Sequence, residues 1–138
     1  MIIDDVALNK SQIIKRYLNR IHEEYDGNPQ NLKNYTKQDS IILNLQRACE
    51  AAIDLAMHIV AEKDLGLPQT SRQAFDLLNK DNILDTELTK RLKAMVGFRN
   101  IAVHEYHSLN LDILQKIIEH HLDDFVTFTQ IIVKMQKL

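Results

Sequence analysis

Residues 41–60 read IILNLQRACEAAIDLAMHIV, and this stretch decides the fold class. Its apolar side chains recur at steps of three and four residues, which is the spacing of one face of an α-helix. Thr36, with Asp39 three residues later, predicts the N-cap, and Gly66 with Pro68 predicts the end. We therefore predict one long amphipathic helix. Its inward face comprises Ile41, Leu45, Ala48, Ala52, Leu55 and Ile59.

The same alternation predicts helices on both sides of this stretch. Thr70 and Gln73 form a capping pattern, and the segment DGNPQNLKNY is the only substantial loop signal. The expected helices are a first one from Asp4 or Asp5 to Tyr25, a short one after Thr70, one from Asp85 or Thr86 into GFRNIAVHEY, and a last one of about seven turns over residues 111–135. Together they predict an all-α fold, an antiparallel bundle of four long helices and one short helix forming a single domain over residues 1–138.

Composition excludes several classes of protein. Three glycines and two prolines are far fewer than the ~16 of average usage, which argues against a Rossmann fold, a P-loop or a β-sandwich. No apolar run approaches the ~18 residues that a bilayer requires, so no membrane association is expected. Cys49 has no partner for a disulfide, and the N-terminal sequence lacks the features of a signal peptide. The cytoplasm is the expected compartment.

The segment RNIAVHEYH places polar and titratable side chains in a predicted helix whose other residues have the apolar pattern of a buried helix. Arg99 falls on the apolar stripe where a leucine is expected, so it requires a carboxylate partner, a turn toward solvent or a cleft that uses its charge. Asn100 and His104 share a helix face, whereas Arg99 and His104 lie about 140° apart. Those two residues would meet if the helix breaks after Asn100 or if two copies of the chain pair. Gly97 is a candidate position for a bend or a close helix approach.

These residue types suit cleavage of an RNA phosphodiester. An imidazole with a pKa near ~6.5 transfers protons at neutral pH, and a guanidinium holds two phosphate oxygens. His104 is therefore the candidate base or acid and Arg99 the candidate cation that stabilises attack by a 2′-hydroxyl, while Asn100 is placed to orient either one. Two histidines from paired chains would divide the roles of base and acid.

Local charge supports an anionic substrate better than the formal net charge of −2 does. Lys90, Arg91, Lys93 and Arg99 lie in a stretch without acidic residues, while the acidic residues cluster elsewhere in the chain. We predict that Lys90, Arg91 and Lys93 contact RNA. The alternative is a solvated helix face.

Other titratable residues predict no further site. His58 and His121 are expected to be partly buried histidines with satisfied hydrogen bonds, and Cys49 is expected to pack in the core. His104 and His107 have no second carboxylate cluster near them in sequence, and no HExxH motif occurs. We expect neither a metal nor another cofactor.

The segment RNIAVHEY resembles the signature of HEPN-domain proteins, and more closely that of the HepT-type toxins of toxin–antitoxin pairs, Arg-x4-His-x-Tyr. Arg99, His104 and Tyr106 match the extended motif, and Asn100 matches the polar residue after the arginine. The resemblance implies a metal-independent ribonuclease that acts as a homodimer with Arg99, Asn100 and His104 in a shared site. It also implies a minimal nucleotidyltransferase antitoxin that uses ATP to attach AMP to Tyr106, placing negative charge near Arg99.

A second class of function stays open at this point. The chain can also be a non-catalytic helical module that presents its bundle to a nucleotidyltransferase or binds a nucleotide through Arg99. RNA cleavage, and its loss in His104→Ala, distinguishes the two hypotheses.

Overall fold

All regular structure within residues 4–104 and 109–136 is helical, which confirms the all-α fold class. These are the residues that the structure, a computed structural model, describes, and for residues 103, 104 and 136 the description is limited to the backbone. A 3-10 helix, Pro29–Lys33, joins the first two α-helices. The α-helices are α1 Asp5–Tyr25, α2 Tyr35–Glu62, α3 Ser71–Lys80, α4 Thr86–His104, α5 Leu111–His120 and α6 Leu122–Gln136.

Three helix starts lie where the sequence predicts them. Asp4 caps α1, because its Oδ1 accepts hydrogen bonds from the backbone N–H of Val6 at 3.0 Å and of Ala7 at 3.3 Å. Thr70 caps α3 through a bond of 3.2 Å from the N–H of Gln73. The Asp85 carboxylate accepts from the N–H of Leu88 at 2.7 Å at the start of α4. Each cap satisfies backbone donors that a helix start leaves free.

The predicted cap of α2 at Thr36 is wrong. The N-cap is Asn34, whose Oδ1 accepts from the N–H of Lys37 at 3.1 Å, and Thr36 lies inside the helix. The cause is the preceding 3-10 helix: its last turn closes with a bond of 3.2 Å from the Asn34 N–H to the Asn31 carbonyl. The chain therefore leaves one helix and enters the next at Asn34, two residues before the predicted position.

The predicted last helix of about seven turns is also wrong, because it is divided at His121. His121 ends α5 with φ −124° and ψ −5°, and its Nδ1 lies 3.3 Å from the Asp124 carboxylate in the first turn of α6. The bundle thus has three long helices, α1, α2 and α4, and three shorter ones. The break lets α6 pack on α1 and α4 while α5 contacts the 3-10 helix.

Ion pairs and hydrogen bonds between helices show their antiparallel order. Lys10, near the start of α1, lies 3.5 Å from Asp54 in the second half of α2. The hydroxyl of Tyr25, the last residue of α1, donates to Glu119 near the end of α5, and this contact places the end of α1 close to the start of α6 at Leu122. Tyr25 is buried, and burial together with this bond to Glu119 raises its pKa to about 12. These contacts agree with the predicted antiparallel bundle.

The core lies between α2 and the helices that surround it. The rings of Phe75 on α3 and Phe128 on α6 are buried, with centroids 5.6 Å apart in an edge-to-face arrangement. Such pairs add ~0.5–1.5 kcal/mol to the free energy gained by burial alone. Within the described ranges, no helix combines the length and the apolar character that crossing a membrane requires.

Candidate functional site

The second half of α4 carries the predicted motif. Leu92, Met95 and Ala102 are buried on its inner side, as the stripe predicts. Arg99 lies on the same side but is only half-buried, and Asn100 is exposed. A guanidinium thus occupies an apolar helix position near the end of α4, where part of it remains in contact with water.

Arg99 is positioned by its neighbour in sequence. Its Nε donates a hydrogen bond of 3.0 Å to Oδ1 of Asn100. Among the described residues no carboxylate lies within ion-pair distance of Arg99, so the alternative of a structural ion pair has no support there. Neither terminal nitrogen of the guanidinium has a partner among the described residues, so both can bind an anion, and Asn100 fixes the direction from which they approach it.

The positive charge of Arg99 affects the pKa of the buried Cys49 on α2. Burial raises the pKa of the Cys49 thiol to about 12, and the positive charge of Arg99 acts in the opposite direction. The thiol is therefore neutral and cannot neutralise the guanidinium. Cys49 packs in the core, as the sequence predicts.

Helix α4 is continuous from Thr86 to His104. The alternative in which a break after Asn100 brings Arg99 and His104 together in one chain is therefore wrong. In a continuous helix the two positions remain about 140° apart. A site shared by two copies, the other alternative, stays a prediction. Tyr106 and His107 lie outside the described residues.

The predicted basic patch divides in space. Arg91 lies 3.5 Å from Glu87 and 3.5 Å from the buried Asp124 of α6, and Lys93 lies 2.9 Å from Asp76 of α3. Lys90 is exposed. The stretch without acidic residues in sequence therefore has carboxylates beside it in the fold, which corrects the expectation that the acidic residues lie elsewhere.

Helix α4 continues through Gly97, and the group that lies close to Gly97 is a side chain of α3. A Cβ built on Gly97 would lie 2.9 Å from Nη2 of Arg72, whose Nε donates to the Lys93 carbonyl at 3.3 Å. Sequence reasoning missed Arg72, because nothing in the short helix α3 singles it out. Gly97 is the one sequence signal of a close contact at this position, and it does not show that Arg72 makes the contact.

Two other groups of residues lie away from the motif. Asp4, His58 and Glu62 have ligand atoms within 4.8 Å of one another and are the candidate metal-binding group among the described residues. A hydrogen bond from Glu62 lowers the pKa of Asp4 to about 2, and the same contact raises the pKa of Glu62. His58 is partly buried and paired, as predicted. Cys49 is the residue of α2 on which the charge of Arg99 acts. Glu62 lies thirteen residues, or about 20 Å along α2, from Cys49, so this group is far from the motif.

A groove of about 880 Å³ runs between α1 and α6. Leu18, Asn19, Val126 and Gln130 are among its lining residues, and neither Arg99 nor Asn100 contributes to it. This groove is therefore separate from the motif.

Comparison with known proteins gives one consistent result. A family described as "Ribonuclease HepT-like" matches residues 14–132. An mRNA nuclease HepT of Shewanella oneidensis is 48% identical over 94% of this chain and 98% of its own length, and a tRNA nuclease HepT of Aphanizomenon flos-aquae is 33% identical over 72% and 68%. A solved structure of tri-AMPylated Shewanella oneidensis HEPN toxin in complex with MNT antitoxin has a TM-score of 0.89, with 49% identity over 94% of this chain and 98% of that one.

Proposed function

Since the chain belongs to the HepT-like ribonuclease family, we propose that it is the toxin of a toxin–antitoxin pair and cleaves RNA. The observation that carries the proposal is the arrangement of Arg99, a half-buried guanidinium held by Asn100 with no described carboxylate beside it. A similar relative, 48% identical, is named an mRNA nuclease. A guanidinium that has no carboxylate partner among the described residues, near the end of the motif helix, fits the binding of a phosphodiester.

The proposed mechanism assigns one role to each motif residue. Arg99 binds the scissile phosphate and stabilises the charge that develops on its oxygens. Asn100 holds the guanidinium in place through the 3.0 Å hydrogen bond. His104 takes the proton of the 2′-hydroxyl, which then attacks the neighbouring phosphorus and displaces the 5′-oxygen of the next nucleotide, and the histidine of the second copy gives that oxygen a proton. The reaction needs no metal.

A homodimer is part of the proposal, because one continuous helix keeps positions 99 and 104 about 140° apart. Ile101, which follows Asn100 on the outward side of α4, is 42% exposed and offers an apolar contact to a second copy. Light scattering at micromolar concentration is expected to give the mass of a dimer. A monomer under conditions in which the protein cleaves RNA would contradict the shared site.

A minimal nucleotidyltransferase antitoxin is the proposed partner, and Tyr106 is the proposed acceptor of AMP. The phenol oxygen attacks the α-phosphorus of ATP, and pyrophosphate leaves. The added phosphate then competes with RNA for Arg99. This proposal is supported by the solved complex of a similar AMPylated toxin with its antitoxin. With the partner enzyme and ATP, intact-mass analysis is expected to show AMP on the wild type and none on Tyr106→Phe. Addition to the variant would place the acceptor elsewhere.

The nuclease proposal is tested with purified protein, single-stranded RNA and excess EDTA. We expect the wild type to cleave and His104→Ala to lose ~10²-fold or more of the rate, as for removal of a general base. His22→Ala is the matched control, because His22 is an exposed histidine on α1. Absence of cleavage by the wild type, or equal rates for His104→Ala and His22→Ala, would contradict the proposal and favour a non-catalytic binding module.

A further inference from the structure

Arg72 on α3 lies against the outward face of the motif helix. Its Nε donates to the Lys93 carbonyl at 3.3 Å, and its Nη2 would lie 2.9 Å from a Cβ at position 97. That separation is shorter than the contacts that Cβ atoms make, so a larger residue at position 97 would require the end of the flexible Arg72 side chain to shift. We call this position, where the guanidinium of Arg72 contacts the backbone of α4 at Lys93 and Gly97, the Arg72 seat.

The charge of Arg72 has no carboxylate partner among the described residues. Asp76 lies one turn further along α3, the usual place for an ion-pair partner, but it is paired with Lys93 at 2.9 Å. Only Nε of Arg72 has a hydrogen-bond acceptor in the described part of the chain. Four of the five N–H donors of an exposed guanidinium therefore remain available, in the fork geometry that matches a phosphate.

The seat is aligned with the predicted catalytic position. Positions 97 and 104 differ by seven residues, which is about 20° around a regular helix, so they share one face. They are about 10 Å apart along the axis, the length of about three stacked nucleotides at ~3.4 Å each. Lys90 and Lys93 lie on this same face, within about 40° of position 97, whereas Arg91 is turned toward Asp124 of α6.

We propose that Arg72 binds a backbone phosphate of the RNA substrate, about three nucleotides from the phosphate that is cleaved. The inference rests on the proposed ribonuclease function and adds to it a binding residue outside the motif. Lys90 and Arg72 then guide the strand along α4 toward the shared site, while Lys93 on the same face is paired with Asp76. Arg72 contributes to binding and not to the chemical step.

The test measures binding and cleavage separately. Binding uses a labelled single-stranded RNA with 2′-O-methyl groups, which cannot undergo attack by the 2′-hydroxyl. For Arg72→Ala we expect Kd to rise about 5–10-fold and the slope of log Kd against log salt to fall by about 0.7, the value for one lost contact with a single strand. KM for cleavable RNA is expected to rise by a similar factor, with kcat changed less than about twofold.

Two further variants show whether the seat matters. Arg16→Ala is the matched control, because Arg16 is an exposed arginine on α1, and it should change neither Kd nor the salt slope. In Gly97→Ala the new Cβ displaces the guanidinium, so Kd is expected to rise about 2–5-fold although alanine favours the helix. Combining it with Arg72→Ala should add no further loss, because both changes remove the same contact.

The outcomes separate this proposal from the proposed function. If the wild type binds and cleaves RNA but Arg72→Ala matches Arg16→Ala, Arg72 has no role in RNA binding and the inference is overturned. If Arg72→Ala instead weakens only the association with the nucleotidyltransferase, the seat serves that protein and the inference is equally overturned. If the wild type neither binds nor cleaves RNA, the ribonuclease proposal itself fails.

Discussion

Replacing Arg99 with methionine tests whether Arg99 acts in catalysis or stabilises the fold. Methionine keeps the length of the side chain and removes its charge and its donors. The described structure gives Arg99 one hydrogen bond, to the exposed Asn100, so the loss of free energy of unfolding should not exceed ~0.5–1.5 kcal/mol. Relief of a half-buried charge offsets part of that loss. We therefore expect the free energy of unfolding to stay within ~1 kcal/mol of the wild type.

The same change should abolish most of the activity. Loss of a preorganised group that stabilises transition-state charge costs ~2.7–4 kcal/mol, or ~10²–10³-fold in kcat. Stability is measured by urea unfolding and activity by cleavage of a fluorescent single-stranded RNA under single-turnover conditions. The expected result for Arg99→Met is normal stability combined with a loss of at least about 100-fold in rate.

Arg91→Met is the matched control for stability, because Arg91 lies on the same helix and does have a carboxylate partner in the buried Asp124. Removing Arg91 leaves that carboxylate without one of its partners, so this variant is expected to lose ~1–2 kcal/mol of unfolding free energy. The reasoning is refuted if Arg99→Met loses more than ~3 kcal/mol, the magnitude for breaking a buried ion pair, or if it keeps its rate within about tenfold.

Three further predictions concern the scaffold. Glu62→Gln is expected to raise the melting temperature at pH 7 and to change it little near pH 4. Contact with Asp4 raises the pKa of Glu62, so the ionised form of Glu62 destabilises the fold and its protonation removes that effect. An equal loss of melting temperature at both pH values would contradict this reasoning. Tyr25→Phe should remove a tyrosine that ionises near pH 12 in a spectroscopic titration and cost ~0.5–1.5 kcal/mol through the lost bond to Glu119; an unchanged titration would be inconsistent with that bond. Phe128→Ala should cost ~3–5 kcal/mol in urea unfolding, and a loss below ~1 kcal/mol would mean that the ring is not buried.

The sequence predicts those parts of the fold that depend on local patterns. The cap at Thr70 and the start of α1 follow from side chains that bond to backbone groups two or three residues away. The division at His121 does not follow from such patterns, because a one-residue interruption leaves the apolar spacing nearly unchanged. It depends on the contact between His121 and Asp124 and on the packing of α6 against two other helices.

The candidate site shows the same limit. The motif in sequence identifies Arg99 and Asn100, which are adjacent and hydrogen-bonded. The partners of Lys93 and the seat of Arg72 depend on how α3 packs against α4, a contact between residues about twenty positions apart. Local charge counting cannot foresee such contacts, so it overestimated the free positive charge around the motif.

The chemical identity of the cleavage products tests the central claim most directly. A defined RNA is treated with the wild-type protein in excess EDTA, and the new ends are identified by mass spectrometry. Attack by the 2′-hydroxyl, with Arg99 and His104 in the roles given above, predicts a 2′,3′-cyclic phosphate on one product and a 5′-hydroxyl on the other. It also predicts no cleavage of the 2′-O-methyl strand. Products with a 5′-phosphate, or cleavage of the 2′-O-methyl strand, would contradict the account.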